Sequence, residues 1–245
     1  MTHGCSFGRN KLSDNTVADN QPDQARKLAA SGRSVFPFSG DVYWGYDDVG
    51  ILFMVLSCLN VALRLAIRLR LLAQHELDQP SLGLHILVTS CLTCSLFAIL
   101  KIRYHRPVWR SLGWILPSRR YLGIAALIGV LLALGGNVPG HGTNREVTNW
   151  AWGLFAATVV PFFEESFFRG CLLPLVARSS GAVIATLVTA LLFSVFHQPR
   201  TTAQWAWVVA TGVAYGWIRL VSGSTTASAL MHIVYNSTLL LCWRF

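Results

Sequence analysis

Charged residues are scarce in this sequence. Only 13% of its 245 residues are Asp, Glu, Lys or Arg, whereas a soluble domain usually carries about 25%. Hydrophobic residues make up 53% of the chain, and they fall in long blocks rather than in alternating or amphipathic patterns. The composition therefore excludes a water-soluble globular domain and predicts a multi-pass membrane protein.

Acidic residues are scarcer than basic ones. The chain has 11 Asp and Glu and 20 Lys and Arg, which gives a net charge of +9. The excess cations lie between the apolar blocks, as is typical of cytoplasmic loops and lipid headgroup contacts. The sequence has no basic helix or arginine-rich tract, which excludes nucleic acid as a partner. The lipid bilayer is the expected partner of these cations.

Residues 1–40 contain no apolar run, and we expect residues 1–48 to form a polar, mobile, cytoplasmic tail. Residues 49–245 form the expected transmembrane domain. Most of its apolar blocks have the ~20 residues that a membrane-spanning helix needs, and they lie at about 49–72, 81–101, 120–138, 149–177, 181–197, 203–221 and 225–243. The expected fold is all-α, a transmembrane bundle of about seven to eight helices, in which Pro161 kinks or breaks the fourth block.

Lys and Arg in the loops predict the orientation in the membrane. Two spans separate the N-terminal tail from a cationic loop that contains Lys101, Arg103, Arg106, Arg110, Arg119 and Arg120. At the other end of the first block, Arg64, Arg68 and Arg70 favour the opposite orientation. The balance predicts a protein of the cell membrane with a cytoplasmic N-terminus.

Only two acidic residues, Glu164 and Glu165, occur in residues 149–245, near the middle of an apolar helix. A charged side chain at the bilayer centre costs about 2.5–3.5 kcal/mol on insertion scales, so this pair predicts a functional site. Glu165 and Arg169 are four residues apart and share a helix face, whereas Glu164 lies about 100° around the helix. We expect Arg169 to hold Glu165 ionised while Glu164 faces a cavity; the alternative is a Glu–Arg pair that only joins helices.

Two histidines are the next polar residues in these blocks. His197 ends the fifth block, and His232 lies in the seventh with Asn236 one helical turn later. Glu164 with His197 can deprotonate and orient a water molecule, and the other two side chains can donate hydrogen bonds to an oxyanion. A metal site is disfavoured because the His-Glu-x-x-His pattern is absent and a cation, Arg169, lies beside the acids. We therefore expect no metal or other cofactor.

Three ordered motifs carry a family resemblance: Glu164-Glu165-x-x-x-Arg169, Phe193-x-x-x-His197 and His232-x-x-x-Asn236. They resemble those of the CPBP family, the CAAX prenyl endopeptidases and bacteriocin-processing proteins, also called Abi proteins or glutamic intramembrane proteases. The resemblance covers a protease-like core at about residues 110–243 and implies a CAAX prenyl endopeptidase-like helical fold.

The resemblance also implies an enzyme, a glutamic intramembrane endopeptidase that uses an activated water. By motif position, catalytic Glu164 and His197 activate the water, and catalytic His232 and Asn236 form the oxyanion hole. The implied supporting residues are Glu165, Arg169 and Phe193. The implied substrate is a membrane protein or a lipidated peptide.

Two other functions remain open at this point. A non-catalytic membrane immunity or partner-binding protein would keep the same fold and motifs. A proton-coupled transporter would use Glu164 and Glu165 as a relay, although the sequence lacks the inverted repeat typical of many transporters.

Overall fold

The computed structural model describes residues 42–69, 82–136 and 150–242. These residues form eight helices and no strand, which confirms the predicted all-α bundle. The helices are α1 (Tyr46–Arg68), α2 (Leu82–Ala98, extended by a π-helical segment at Ile99–Arg103), α3 (Val108–Ser111), α4 (Arg119–Gly135), α5 (residues 150–180), α6 (Ala182–His197), α7 (Thr202–Ser222) and α8 (Thr225–Cys242).

The predicted N-terminal tail falls mainly on residues 1–41, which lie outside the described residues. Helix α1 begins at Tyr46, three residues before the predicted boundary at residue 49. Just before it, the Trp44 side chain is 2% exposed, and its Nε1 donates a hydrogen bond to the carbonyl oxygen of Cys171 at 3.0 Å. The start of α1 is therefore attached to helix α5.

Helix α5 combines α-helical and π-helical segments. Its π-helical segments are Phe155–Val159 and Ser166–Leu172, and the α-helical Val160–Glu165 lies between them. Pro161 lies just after the first π-helical segment, where the altered hydrogen-bond pattern accommodates a residue that has no N–H group. The predicted interruption of this block therefore takes the form of wide helical turns in a continuous helix.

Small residues let the C-terminal helices approach closely. Helix α4 buries Ala125, Gly129 and Ala133, which are spaced four residues apart, against helix α8. A Cβ atom at Gly129 would lie 2.6 Å from the carbonyl oxygen of Met231 on α8. The absence of a side chain at this position brings the two backbones together, as is typical of helix pairs in membranes.

Several helices expose large apolar side chains. Helix α6 exposes a set of large aliphatic side chains at helical spacing, namely Val183, Ile184, Leu187, Leu191 and Val195. By length and composition, Tyr46–Arg68 and Ile86–Arg103 can each cross a membrane, and Ala182–His197 is a shorter apolar helix. Apolar outer faces of this kind are what a helix presents to lipid.

Candidate active site

Glu164 and Glu165 end the α-helical segment between the two π-helical segments of α5. Glu165 is completely buried, whereas the side chain of Glu164 is 25% exposed. Adjacent helical residues point in directions about 100° apart, and the structure separates these carboxylates accordingly. One lies inside the helix bundle and the other at the wall of a cavity.

Three donors surround the buried carboxylate of Glu165. Its Oε1 lies 3.1 Å from Nη1 of Arg169 and 3.0 Å from Nδ1 of His232, and its Oε2 accepts from Oγ of Ser228 at 2.5 Å. A carboxylate only accepts hydrogen bonds, so Nδ1 of His232 must carry the hydrogen. Glu165 thereby fixes the orientation of the imidazole ring on α8.

Arg169 is also completely buried, and its charge is compensated on several sides. Besides Glu165, it donates from Nη2 to the carbonyl oxygen of Gly212 on α7 at 3.0 Å. Its guanidinium carbon lies 4.5 Å from the ring centre of Phe193 and 5.3 Å from that of Tyr215. The aromatic faces add cation–π attraction, so Phe193 supports the charged pair through its ring.

Glu164 lies between two histidines. Its Oε1 is 4.0 Å from Nε2 of His197, and its Oε2 is 3.8 Å from Nε2 of His232. Nδ1 of His197 lies 2.8 Å from the carbonyl oxygen of Phe193, which accepts its hydrogen. In the neutral rings both Nε2 atoms are therefore acceptors facing a carboxylate. These separations exceed direct hydrogen bonds, and a water molecule beside Glu164 can contact the carboxylate and a histidine together.

Asn236 lies one turn after His232 on α8 and is half-buried. Its Nδ2 donates to the carbonyl oxygen of Ala156 at 3.3 Å, and this acceptor belongs to the first π-helical segment of α5. The amide has a second hydrogen on the same nitrogen. Asn236 therefore connects α8 to α5 and retains one donor for another group.

A cavity of about 330 Å³ adjoins Glu164 and His197. The other residues that line the cavity belong to α1, α2, α5 and α6, and they are apolar apart from two threonines. They are Leu52, Phe53, Leu56, Thr89, Leu92, Thr93, Leu96, Val160, Phe163, Phe167, Phe168 and Phe196. His232 and Asn236 do not line it. The carboxylate and one histidine are thus accessible from a largely apolar space.

The family model described as type II CAAX prenyl endopeptidase Rce1-like matches residues 146–238. This segment is Rce1-like. The match confirms the resemblance to the CPBP family that the three motifs indicate, and it contains all seven predicted site residues. Comparison with curated proteins and with solved structures gave no match.

The Rce1-like family consists of membrane-embedded proteases, which makes protease and membrane protein the appropriate general descriptions. The matched range lies inside the predicted protease-like core at residues 110–243 and covers helices α5 to α8 almost completely. Helices α1 to α4 lie outside the match.

Sequence reasoning missed three contributors to this candidate site: Ser228, Gly212 and Tyr215. Ser228 precedes His232 by four residues and so shares its helix face, a signal that the spacing contains. The other two residues lie on α7, whose Gly212-x-x-x-Gly216 pattern indicates only close packing. No sequence pattern shows that the Gly212 carbonyl accepts from Arg169.

In the part of the chain that the structure describes, no group of three His, Cys, Asp or Glu side chains is arranged to hold a metal ion. Glu165 accepts from Arg169 and His232, and these contacts direct its oxygens toward donors rather than toward a cation site.

Proposed function

We propose that the protein is an intramembrane glutamic endopeptidase that hydrolyses a peptide bond in a membrane-associated or prenylated protein. The observation that carries the proposal is the position of Glu164, 4.0 Å and 3.8 Å from two histidine Nε2 atoms at the wall of an apolar cavity. The Rce1-like family match supports protease chemistry for this part of the chain.

In the proposed reaction, Glu164 accepts a proton from a water molecule that His197 helps to orient. The water oxygen forms a bond to the carbonyl carbon of the substrate, and the carbonyl electron pair moves to its oxygen. The C–N bond then breaks as Glu164 returns the proton to the departing nitrogen. The products are a carboxylic acid and an amine.

The negative charge on the substrate oxygen needs hydrogen-bond donors. Asn236 offers the second hydrogen of its amide, and His232 donates from Nε2 when its ring carries both protons. Glu165 and Arg169 support this arrangement from the buried side. We propose that no metal or other cofactor takes part, because a fixed cation lies beside the acids and Glu165 is already bonded to its donors.

The cavity suggests how the substrate is held. Its mainly leucine and phenylalanine lining favours an apolar group, such as a prenyl chain or a hydrophobic side chain, beside Glu164 and His197. Burial of that group would exclude bulk water from the reacting carbonyl and keep the peptide bond near the carboxylate.

We also propose a multi-pass protein of the cell membrane with a cytoplasmic N-terminus. Arg103, at the end of α2, forms ion pairs with Asp47 at 2.8 Å and with Asp48 at 3.0 Å, both at the start of α1. These contacts support a location on one side of the membrane for the N-terminal tail and the cationic loop after α2. The number of cations in that loop favours the cytoplasmic side.

The test compares peptide termini in membranes from cells that express the wild type or the Glu164→Gln variant at equal levels. Glutamine keeps the size of the side chain but cannot accept a proton from water at neutral pH. We expect new peptide termini near a membrane boundary with the wild type and none with the variant.

Asp47→Asn is the matched control, because it also converts an acid to its amide but acts on a 62% exposed side chain outside the site. It should retain the new termini. Identical termini for wild type and Glu164→Gln would refute the hydrolytic function and favour a non-catalytic partner-binding role.

A further inference from the structure

Tyr215 on α7 is in direct contact with the site although none of the three motifs contains it. Its side chain is 1% exposed. Its ring is stacked on the imidazole of His232, with 4.6 Å between centroids and 20° between planes. Its backbone carbonyl lies 3.0 Å from Oγ of Ser228, the residue that also binds Glu165. Helix α7 therefore holds the phenol ring of Tyr215 against His232, one of the proposed site residues.

The hydroxyl group of Tyr215 is the unexplained part of this residue. It is buried and has no hydrogen-bond partner among the residues that the structure describes. A buried donor without a partner is unfavourable to folding, and in native proteins one explanation of such a group is a role in catalysis.

The other donors near Glu164 are partly engaged. The Nδ1 hydrogen of His232 is bonded to Glu165, and its Nε2 carries a hydrogen only in the protonated ring. Asn236 uses one amide hydrogen for Ala156 on α5. The phenol of Tyr215 carries a hydrogen at neutral pH, so it can donate without first gaining a proton.

We propose that the Tyr215 hydroxyl is a further catalytic donor, which gives a hydrogen bond to the substrate carbonyl oxygen as negative charge develops there. This inference rests on the proposed endopeptidase function. The donor would act together with Asn236 and the imidazole of His232, whose ring Tyr215 already contacts. It transfers no proton and forms no covalent bond.

The test is Tyr215→Phe, which keeps the ring and its stacking on His232 but removes the hydroxyl. The probe is a farnesylated peptide with a C-terminal CAAX sequence in proteoliposomes or, if it is not cleaved, the peptide whose terminus the membrane comparison identifies. Loss of one oxyanion donor lowers kcat by about 10²–10³-fold in well-studied cases, and we expect about 10²-fold here. KM should stay within about twofold, so that kcat and kcat/KM fall equally.

Thermal unfolding separates this role from a structural one. Because the Tyr215 hydroxyl has no partner, Tyr215→Phe should leave Tm unchanged or raise it. The matched control is Tyr235→Phe on α8, whose hydroxyl accepts from Nε1 of Trp207 at 3.2 Å. This control should lower Tm and leave kcat unchanged.

The outcomes also separate this inference from the proposed function. If Glu164→Gln abolishes cleavage but Tyr215→Phe keeps kcat within about twofold, the inference about the hydroxyl is wrong and the endopeptidase remains. A fall in kcat that accompanies a fall in Tm contradicts it equally, since that pattern indicates a structural role. If Glu164→Gln still cleaves, the proposed function itself fails.

Discussion

Replacing Ser228 by alanine removes one donor from the buried carboxylate of Glu165. The serine Oγ is completely buried and lies 2.5 Å from Oε2 of Glu165. Without it, Oε2 has no hydrogen-bond donor among the described residues. Hydrogen bonds to charged groups contribute about 1.5–3 kcal/mol, so the free energy of unfolding should fall by about that amount.

Ser194→Ala is the matched control for this substitution. Ser194 on α6 is also completely buried, but its Oγ has no hydrogen-bond partner within the described part of the chain. Removal of an unpaired hydroxyl is nearly neutral or stabilising. The two variants lose the same atom at the same degree of burial, so their difference measures the contacts that Ser228 makes with the Glu165 carboxylate and with the carbonyl oxygen of Tyr215.

The assay is thermal unfolding in detergent micelles, followed by the intrinsic fluorescence of the nine tryptophans. For a chain of this size, 1 kcal/mol shifts Tm by about 2–4 °C, which predicts a decrease of roughly 3–12 °C for Ser228→Ala. Ser194→Ala should leave Tm unchanged or raise it. Equal decreases for both variants would show that burial alone, rather than the carboxylate contact, accounts for the effect.

Two further predictions concern Tyr104, at the end of α2, and Gly212 on α7. Tyr104 donates to Oδ2 of Asp48 at 2.6 Å, and this hydrogen bond raises the pKa of Tyr104 to about 12. The stabilisation by this hydrogen bond is complete below the unfolded pKa of about 10 and is lost as pH rises through about 12. In an ultraviolet titration, Tyr104→Phe should lack one phenolate step that the wild type shows near pH 12. If the variant instead lacks a step near pH 10, this reasoning is contradicted. Gly212→Ala should lower Tm, because the new Cβ would lie 3.1 Å from Cα of Ala190. This crowding opposes the helix propensity of alanine, which favours the helix by about 1 kcal/mol over glycine. In the control Gly123→Ala the new Cβ meets no atom within 4 Å, so Tm should rise or stay unchanged.

The sequence predicts the helices well because each membrane-spanning helix corresponds to a long apolar block in the sequence. The block at about 203–221 corresponds to Thr202–Ser222, and the block at about 225–243 corresponds to Thr225–Cys242. Contacts within one helix are predictable for the same reason. Helical spacing alone places Glu165 beside Arg169, which the structure brings to 3.1 Å.

Contacts between helices are not encoded in spacing. The stacking of Tyr215 on His232 depends on the depth and rotation of α7 against α8, and apolar blocks do not specify either. The π-helical segments of α5 are a second example. Pro161 indicates a disturbance, but it does not indicate π-helical turns or the hydrogen bond from Asn236 on α8 to the carbonyl oxygen of Ala156 in the first of them.

The cavity beside Glu164 is built from two parts of the chain. Half of its fourteen lining residues belong to α1 and α2, and both helices lie outside the Rce1-like range 146–238. The remaining half, including Glu164 and His197, belongs to α5 and α6 within that range. Under the proposed function, substitutions in the first two helices would change substrate selectivity while Glu164 and His197 stay the same, so two proteins with identical motifs need not share a substrate.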